Sequence, residues 1–505
     1  MKKIIICIFS AALLISCSDL EENPVGILAP KSFFKSPSDV QAAVNGSFAY
    51  MASEKYWGRK LTVSLLLRGD MADIGDQTTS IARVEVNKFT MTDESAMVAS
   101  FWPQSYAIIG AANQAIDGAK RVTGKEAEIN AIAAQAYFAR AFAYYNLVRL
   151  FGAIPYIDFA VSNVNDVNTL SKTPENEVYN KIISDLQYAK QWLPNKQKVK
   201  SLPTKGTAAA YLASVYLTLG DFQNAYTESK YVIDNETTFG LGLEADFQDL
   251  FRSTKTATLK EPLFTIDFIG QSRVGDLGQD YLASLTGIRG DQSHSYGEGW
   301  SVAVPTLKVF NDWDARDYRR AVSFDTTAVR NGKVVDYTKF TSMSSLAVNR
   351  PHIAKYNRYA GVAGSNGRES DNNYFIMRYA EVLLIAAEAL NEITPGSPEA
   401  TGYVNRLLLR ARNKGGKMSN FPVDVPAGLS QTDLRARILN ERRLELAFEF
   451  GRWFDIKRLK LGSEVFSPTG NEPQPNFDPK RDYYFPLPGD ELNRNPNLLP
   501  NNAGY

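Results

Sequence analysis

Read for hydrophobic and polar positions alone, most of this chain repeats at three- and four-residue intervals, the spacing that stacks side chains on one face of an α-helix. Residues 94–120 place Trp102, Tyr106, Ile109 and Asn113 on such a face, and the apolar column assigns Trp102 to the core. From Glu126 to Phe151 a second column holds Ala136, Arg140, Tyr144, Leu147 and Phe151, and Gly152 with Pro155 predicts its stop. An earlier helix is expected to begin near Ser38-Asp39. Thr173 before Pro174, with Glu175 and Glu177 in the first turn, predicts a capped start to a helix that turns Val178, Ile182, Leu186 and Leu193 inward. A last capped helix should follow Ser430, with Asp433 three residues on.

The segment from Gly206 to Asp234 goes further than a single helix. Leu212, Ala213, Tyr216, Gly220, Phe222 and Ala225 fall at the intervals of a tetratricopeptide unit, in which small residues let two helices approach and aromatics fill the groove between them. Looser pairs begin at Glu126 and at Arg378, where RYAEVLLIAAEALNE precedes a Pro395-Gly396 turn and the helix VNRLLLRA. One pair cannot bury its own apolar face, so several must stack. Between about 240 and 370 the pattern breaks into short apolar pieces such as PLFTIDF separated by Gly, Ser, Asn and Asp, which predicts loops and short strands. From about 465 the chain is Pro- and Asn-rich coil. The expected fold class is mainly α, a tetratricopeptide-like helix-pair scaffold with a loop-rich region carrying short strands. No freely flexible linker interrupts it. A single domain is therefore expected over 31–505, divided into an N-terminal helical part (31–240), a loop-rich part (241–370) and a C-terminal helical part (371–505).

The first residues follow a different logic. Lys2 and Lys3 precede an apolar run from Ile4 to Ile15, and Ser16 stands before Cys17, the arrangement of a bacterial lipoprotein signal. Residues 1–16 are expected to be the signal peptide and 17–30 an acylated N-terminal tether, although a cleaved signal with a chance cysteine has the same outline. Each buried acyl methylene contributes roughly 0.8 kcal/mol, so several chains on Cys17 would hold a folded domain on a membrane. No later stretch approaches the ~18 uninterrupted apolar residues of a membrane-spanning helix.

Composition removes several functions. Of two cysteines, Cys7 would leave with the signal peptide, so no thiol pair remains for a disulfide or a thiolate metal site. Lys plus Arg total 56 against 55 Asp plus Glu, and a net charge of +1 supplies no general attraction to polyanions, so no nucleic-acid partner is expected. His294 and His352 are the only histidines, and H-E-x-x-H, G-x-S-x-G and Walker A patterns are all missing. Glu441 and Glu445 lie one turn apart, but flanking arginines lower a carboxylate pKa where a general acid needs it raised. That helix is expected to be ion-paired, tying the C-terminal region to the scaffold. No catalytic residue, metal or cofactor is expected.

Aromatics make up 11% of the chain, more than a core alone needs, and flat rings outside a core suit the apolar face of a sugar. Capture of a sugar also needs Asp, Asn or Arg to bond the hydroxyls. The segment RGDQSHSYGEGW, residues 289–300, carries Arg289, Asp291, His294, Tyr296 and Trp300 in a glycine-rich loop after Tyr281. Trp300 could equally plug that loop onto the scaffold. A second candidate, KYWGRKLTVSLLLRGDMADIGD at 55–76, sets Tyr56 and Trp57 ahead of Arg68, Asp70, Asp73 and Asp76. Those aspartates could bond a ligand, hold a cation or simply cap turns, and they lack an EF-hand pattern. The candidate ligand-binding residues are Trp57, Asp70, Asp73, Tyr281, Arg289, Asp291, Tyr296 and Trp300.

Three stretches, RYAEVLLIAAEALNE at 378–392, ILNERRLELAFEFGRWFDIKRLK at 438–460 and YYFPLPGDELNRNPNLLPNNAGY at 483–505, resemble the C-terminal signature of the SusD/RagB family. The Trp102, Tyr106, Asn113 helix, the tetratricopeptide-like units and the Cys17 motif resemble its N-terminal half, so the likeness covers essentially the whole chain. Pro500 departs from the family's frequent Gln-Asn ending, which puts only a terminal contact in doubt. The resemblance implies four tetratricopeptide-like helix pairs under a variable loop-rich half. It implies an outer-membrane lipoprotein that caps a SusC-like TonB-dependent transporter and binds a glycan, or in some members an oligopeptide, without catalysis. The middle region of such proteins supplies aromatic ligand contacts. Ser18-Asp19-Leu20-Glu21-Glu22 resembles the surface-export signal of Bacteroidetes lipoproteins, implying that the protein faces the cell exterior, though a solvated linker has the same composition. Replacing Cys17 with Ala is expected to abolish metabolic labelling with palmitate and to move the protein from the membrane to the soluble fraction; retained labelling would refute the assignment.

Overall fold

The computed structural model describes residues 33–268, 270, 275, 277–294, 298–361 and 368–505. The signal peptide, Cys17 and the tether lie outside the described residues, as does Tyr296. The helices of seven or more residues are α1 (Pro37–Met51), α2 (Lys60–Leu67), α3 (Ile81–Asn87), α4 (Ala96–Ala119), α5 (Glu126–Phe151), α6 (Glu175–Trp192), α7 (Lys205–Leu219), α8 (Phe222–Asp234), α9 (Tyr379–Ile393), α10 (Pro398–Ala411), α11 (Gln431–Glu445) and α12 (Arg452–Arg458).

Local chemistry sets most of their ends. Asp39 returns a carboxylate to the Ser36 amide at the head of α1, completing a capping box. Thr204 and Thr207 do the same for α7, which stops at Gly220 in the left-handed region, φ 74°. Asp221 then caps α8 through the Asn224 amide, so the helix–turn–helix read at 206–234 is present as expected. Ser430 caps α11 through Asp433. The start of α6 differs from expectation. Thr173 does not cap it; its backbone exchanges two hydrogen bonds with Ile154 (2.8 and 3.3 Å), and Pro174 stands at the cap without a side-chain bond. An extended bridge satisfies the same backbone groups.

The longer helices pack largely in chain order. α4 packs on α1 and α5, α5 on α6, α6 on α7, α7 on α8, α8 on α9, and α9 on both α10 and α11. The two sequence columns meet through polar tips. Tyr106 donates to the Pro155 carbonyl (2.8 Å), Asn113 to that of Ile157 (2.9 Å), and Arg140 reaches both Asn113 and Asp185 (2.7–2.8 Å), fixing the strap that follows α5. Trp102 is buried among them.

Between α8 and α9 the chain leaves the stack and forms short strands, as the broken pattern predicts. The strands there are β2 (Pro262–Ile266), β3 (Ala303–Pro305), β4 (Phe324–Asp325), β5 (Thr327–Arg330), β6 (Lys333–Asp336), β7 (His352–Ile353) and β8 (Tyr374–Arg378), joined by β1 (Ala72–Ile74) from between α2 and α3, while a separate short pair, Asn413–Lys414 with Lys417–Met418, follows α10. They pair antiparallel as β1–β3, β2–β8, β4–β7 and β5–β6. In β1–β3, Ala72 faces Pro305 and Ile74 faces Ala303, which fastens the loop-rich part to the N-terminal helices.

A buried ion network closes the assembly. Glu445 of α11 takes Arg378 (2.6 Å), Arg319 (3.0 Å) and Arg410; Arg378 also takes Glu261 (2.5 Å) and Glu449 (2.7 Å); and Lys355 bonds Glu449 (2.6 Å). Arg319 further binds Asp317 (2.9 Å) and Glu441. Burial opposes the Glu445 carboxylate, yet Arg410, Arg378 and Arg319 hold its pKa well below the usual range. At Glu441 burial prevails over Arg319 and the pKa rises, against the sequence expectation, which holds at Glu445. Removing one partner from such a network leaves buried charge uncompensated. Glu445→Gln is expected to cost about 3–5 kcal/mol in chemical denaturation; a loss within measurement error would show the network to be energetically idle.

Candidate functional site

Two chain crossings build one surface patch. In the first, the turn between α1 and α2 lies on residues 277–281: Ser53 bridges Leu277, and the Tyr281 amide donates to the Gly58 carbonyl (3.1 Å). Any Cβ at Gly58 would sit 2.2 Å from the Gln279 carbonyl, so only glycine permits this approach. In the second, the Trp300 amide donates to Ser284 (2.7 Å), and the Gly75 and Asp76 amides donate to Val302 and Ser301 (2.8 Å each). Ser301 has φ 51°, a left-handed conformation costing a non-glycine residue roughly 1–2 kcal/mol. Its Oγ offsets part of that strain by bonding the Arg289 amide (2.9 Å) and His352 Nε2 (2.8 Å).

The side chains converge there. The Tyr281 and Trp300 rings meet edge to face at 6.1 Å, and the Arg59 guanidinium covers the Tyr281 ring at 4.4 Å. Tyr281 donates to Gln279 (3.0 Å), and Glu54 pairs with Arg59. Arg289 donates to the Trp300 carbonyl (3.2 Å) and to Asp76 (3.4 Å). Lys60 opens α2, Arg83 on α3 donates to Thr79 (2.7 Å), and Arg368 lies 5.9 Å from the Tyr281 ring. Burial, then Arg59 and Arg83, push the Lys60 pKa down to about 8; burial, then Arg59, push Arg83 down to about 10 although Asp76 opposes this. Tyr281 itself is buried and braces the patch, whereas Trp300 is half-buried.

Of the sequence candidates, Tyr281, Arg289 and Trp300 come together. Trp57 does not join them: it is 2% exposed, stacked on Phe142 (6.0 Å) and edge-on to Phe450 (5.4 Å), a core residue rather than an exposed ring. Asp70 is also corrected, because it is fully buried with both oxygens on Arg452 (2.7 and 2.8 Å) and one on Asn471 (2.7 Å). Asp73 pairs with Arg350 (2.8 Å) and Lys88 (3.5 Å). The three aspartates of the 70–76 run thus face different cations, and no group of side chains suited to a metal ion exists among the described residues. Asp291 braces its loop: it accepts from the Ser293 amide (3.0 Å), Ser293 Oγ (2.9 Å) and the Val329 amide (2.8 Å), and pairs with His294 (3.0 Å). Burial would raise its pKa, but His294 and the Val329 amide bring it down to about 2. Tyr296 lies outside the described residues. The sequence reading missed Arg59, Lys60, Arg83 and Arg368. Arg59 and Lys60 directly follow Trp57-Gly58 and were open to notice; Arg83 and Arg368 carry no local signal. A cavity of about 290 Å³ lined by Trp313, Phe421, Val423, Asp424, Arg443 and Leu444 among others shares no residue with the patch.

Comparison with known proteins agrees with this architecture. Residues 341–505 match the family described as the SusD family, and residues 32–217 match one described as starch-binding associating with outer membrane. A SusD-like protein P2 from Formosa agariphila is 66% identical over 493 residues, covering 97% of both chains. A SusD homolog from Bacteroides thetaiotaomicron superposes with a TM-score of 0.83 at 21% identity, covering 94% of this chain and 98% of that one. A surface glycan-binding protein A from the same species, solved with laminarihexaose, gives 0.75 at 19% identity over 93% of this chain and 100% of its own. The two structures share the fold, while the 66% identity over nearly the full length carries kinship as well: the chain belongs to the SusD family.

Proposed function

We propose that this protein is a non-catalytic, lipid-anchored glycan-binding protein of the outer membrane, which captures oligo- or polysaccharide at Trp300 and delivers it to a SusC-like TonB-dependent transporter. The carrying observation is the braced ring: a partly buried indole, packed on the core and held on Tyr281, stands with Arg289 bonded beside it, so an aromatic ring and hydrogen-bond donors share one surface. The relative bound to laminarihexaose and the starch-binding, outer-membrane description of the family support this reading. No helix among the described residues is long and apolar enough to cross a membrane, which suits attachment through Cys17. A tether over residues 17–30 extends to about 45–50 Å, letting residues 31–505 act as one unit over a transporter mouth.

The patch chemistry supports binding without turnover. Glu54 and Asp76 are engaged by Arg59 and Arg289. Asp280, whose pKa burial raises to about 7, is sealed from solvent by Ser370, Tyr374 and the Leu282 amide. Neither carboxylate arrangement provides the acid and base that flank a glycosidic bond.

Titration calorimetry against an oligosaccharide panel tests the assignment. Trp300→Ala is expected to cost about 2 kcal/mol of binding, roughly 30-fold in affinity, while the far-UV circular dichroism spectrum stays that of the folded protein. Silence toward every glycan, with binding of oligopeptides instead, would overturn it. Labelling of intact cells with a membrane-impermeant reagent tests the orientation: protein that stays unlabelled faces the periplasm.

A further inference from the structure

Resting on the glycan-capture reading, we infer that the captured glycan is anionic, carrying carboxylate or sulfate groups that Arg59, Lys60, Arg83, Arg289 and Arg368 receive beside Trp300. Among the described residues, the five cations of the patch pair with three carboxylates, Glu54, Asp76 and Glu298, the last 3.9 Å from Arg289 at its nearest. None of the described carboxylates forms an ion pair with Lys60, Arg83 or Arg368. Arg59, Arg83 and Arg289 each keep a buried Nε–H with no acceptor.

The donor balance also selects the ligand. Guanidinium and ammonium groups only donate, whereas a neutral sugar hydroxyl must both donate and accept. A surface crowded with donors therefore matches groups that only accept, which on a saccharide means uronate carboxylates and sulfate esters; Arg forks bind both bidentately. Mutual repulsion reinforces the preference, since the neighbours Arg59 and Arg83 destabilise charge on Lys60, and Arg368 does so on Arg59. The chain as a whole carries only +1, so the attraction is local.

The test is calorimetry on the mature full chain with four probes: oligogalacturonate, its carboxyl-reduced neutral counterpart, a sulfated carrageenan oligosaccharide and laminarihexaose. At least one charged probe should bind about tenfold or more tightly than the neutral ones, as loss of a charge-assisted hydrogen bond implies, and its binding should weaken as NaCl rises. Arg83→Gln should lower that affinity about tenfold and flatten the salt dependence, while Arg83→Lys retains most of it; unchanged melting curves exclude misfolding. Neutral probes binding as tightly as charged ones, without salt dependence, would overturn the anionic assignment and leave glycan capture standing. Failure of every probe would overturn both. Full displacement by equimolar inorganic sulfate would reduce the patch to an anion site without sugar recognition, which also refutes the inference.

Discussion

The architecture depends on charge neutralised where water is excluded. Glu445 sits at the end of α11 with three arginines around it, and those arginines come from the end of β8, from α10 and from the short helix at Tyr318–Ser323. Through Glu261 and Lys355 the same network reaches β2 and the segment after β7. Hydrophobic contact would hold these pieces together in many arrangements. Ion pairs in a low-dielectric interior accept very few, because any misplacement strands a charge.

The same device ties the two ends of the chain. Arg68, fully buried, bonds the carboxylate (3.1 Å) and backbone carbonyl (2.9 Å) of Asp482, and its guanidinium lies 4.1 Å from the Phe89 ring. Asp70 crosses to Arg452 and Asn471. In the linear order RGDMAD, Arg68 and Asp70, which look like binding chemistry, are fasteners between the N-terminal helices and the C-terminal part. They leave the surface work to side chains that carry weaker sequence signals.

Where a pattern is local, the sequence was legible. The helix periods, the 206–234 pair, the Ser430 cap and the change of texture between 240 and 370 all depend on neighbours a few residues apart, and the described residues bear them out. Thr173 misled because a bridge to Ile154 satisfies its backbone first. Trp57 and Asp70 misled because residue type does not reveal which side of a wall a side chain faces; Phe142, Phe450 and Arg452 decide that, and all are distant in sequence. The cation cluster was hidden for the opposite reason: its members come from four separate segments, and summing charge over the chain averages them to almost nothing.

One detail of the chain path separates two jobs. α8 ends at Asp234 and α9 begins at Tyr379, yet the two helices touch, so the intervening residues form an excursion that departs and returns at adjoining points. Tyr281, Arg289 and Trp300 ride on that excursion, whereas Arg59, Lys60 and Arg83 belong to the frame beneath it. The ring, with Arg289 and Arg368, and the three frame cations Arg59, Lys60 and Arg83 are therefore inherited from different parts of the gene. An altered excursion would present a new shape to a ligand and carry away two of the five cations, while the frame went on supplying the other three, so part of the charge preference outlasts a change of shape.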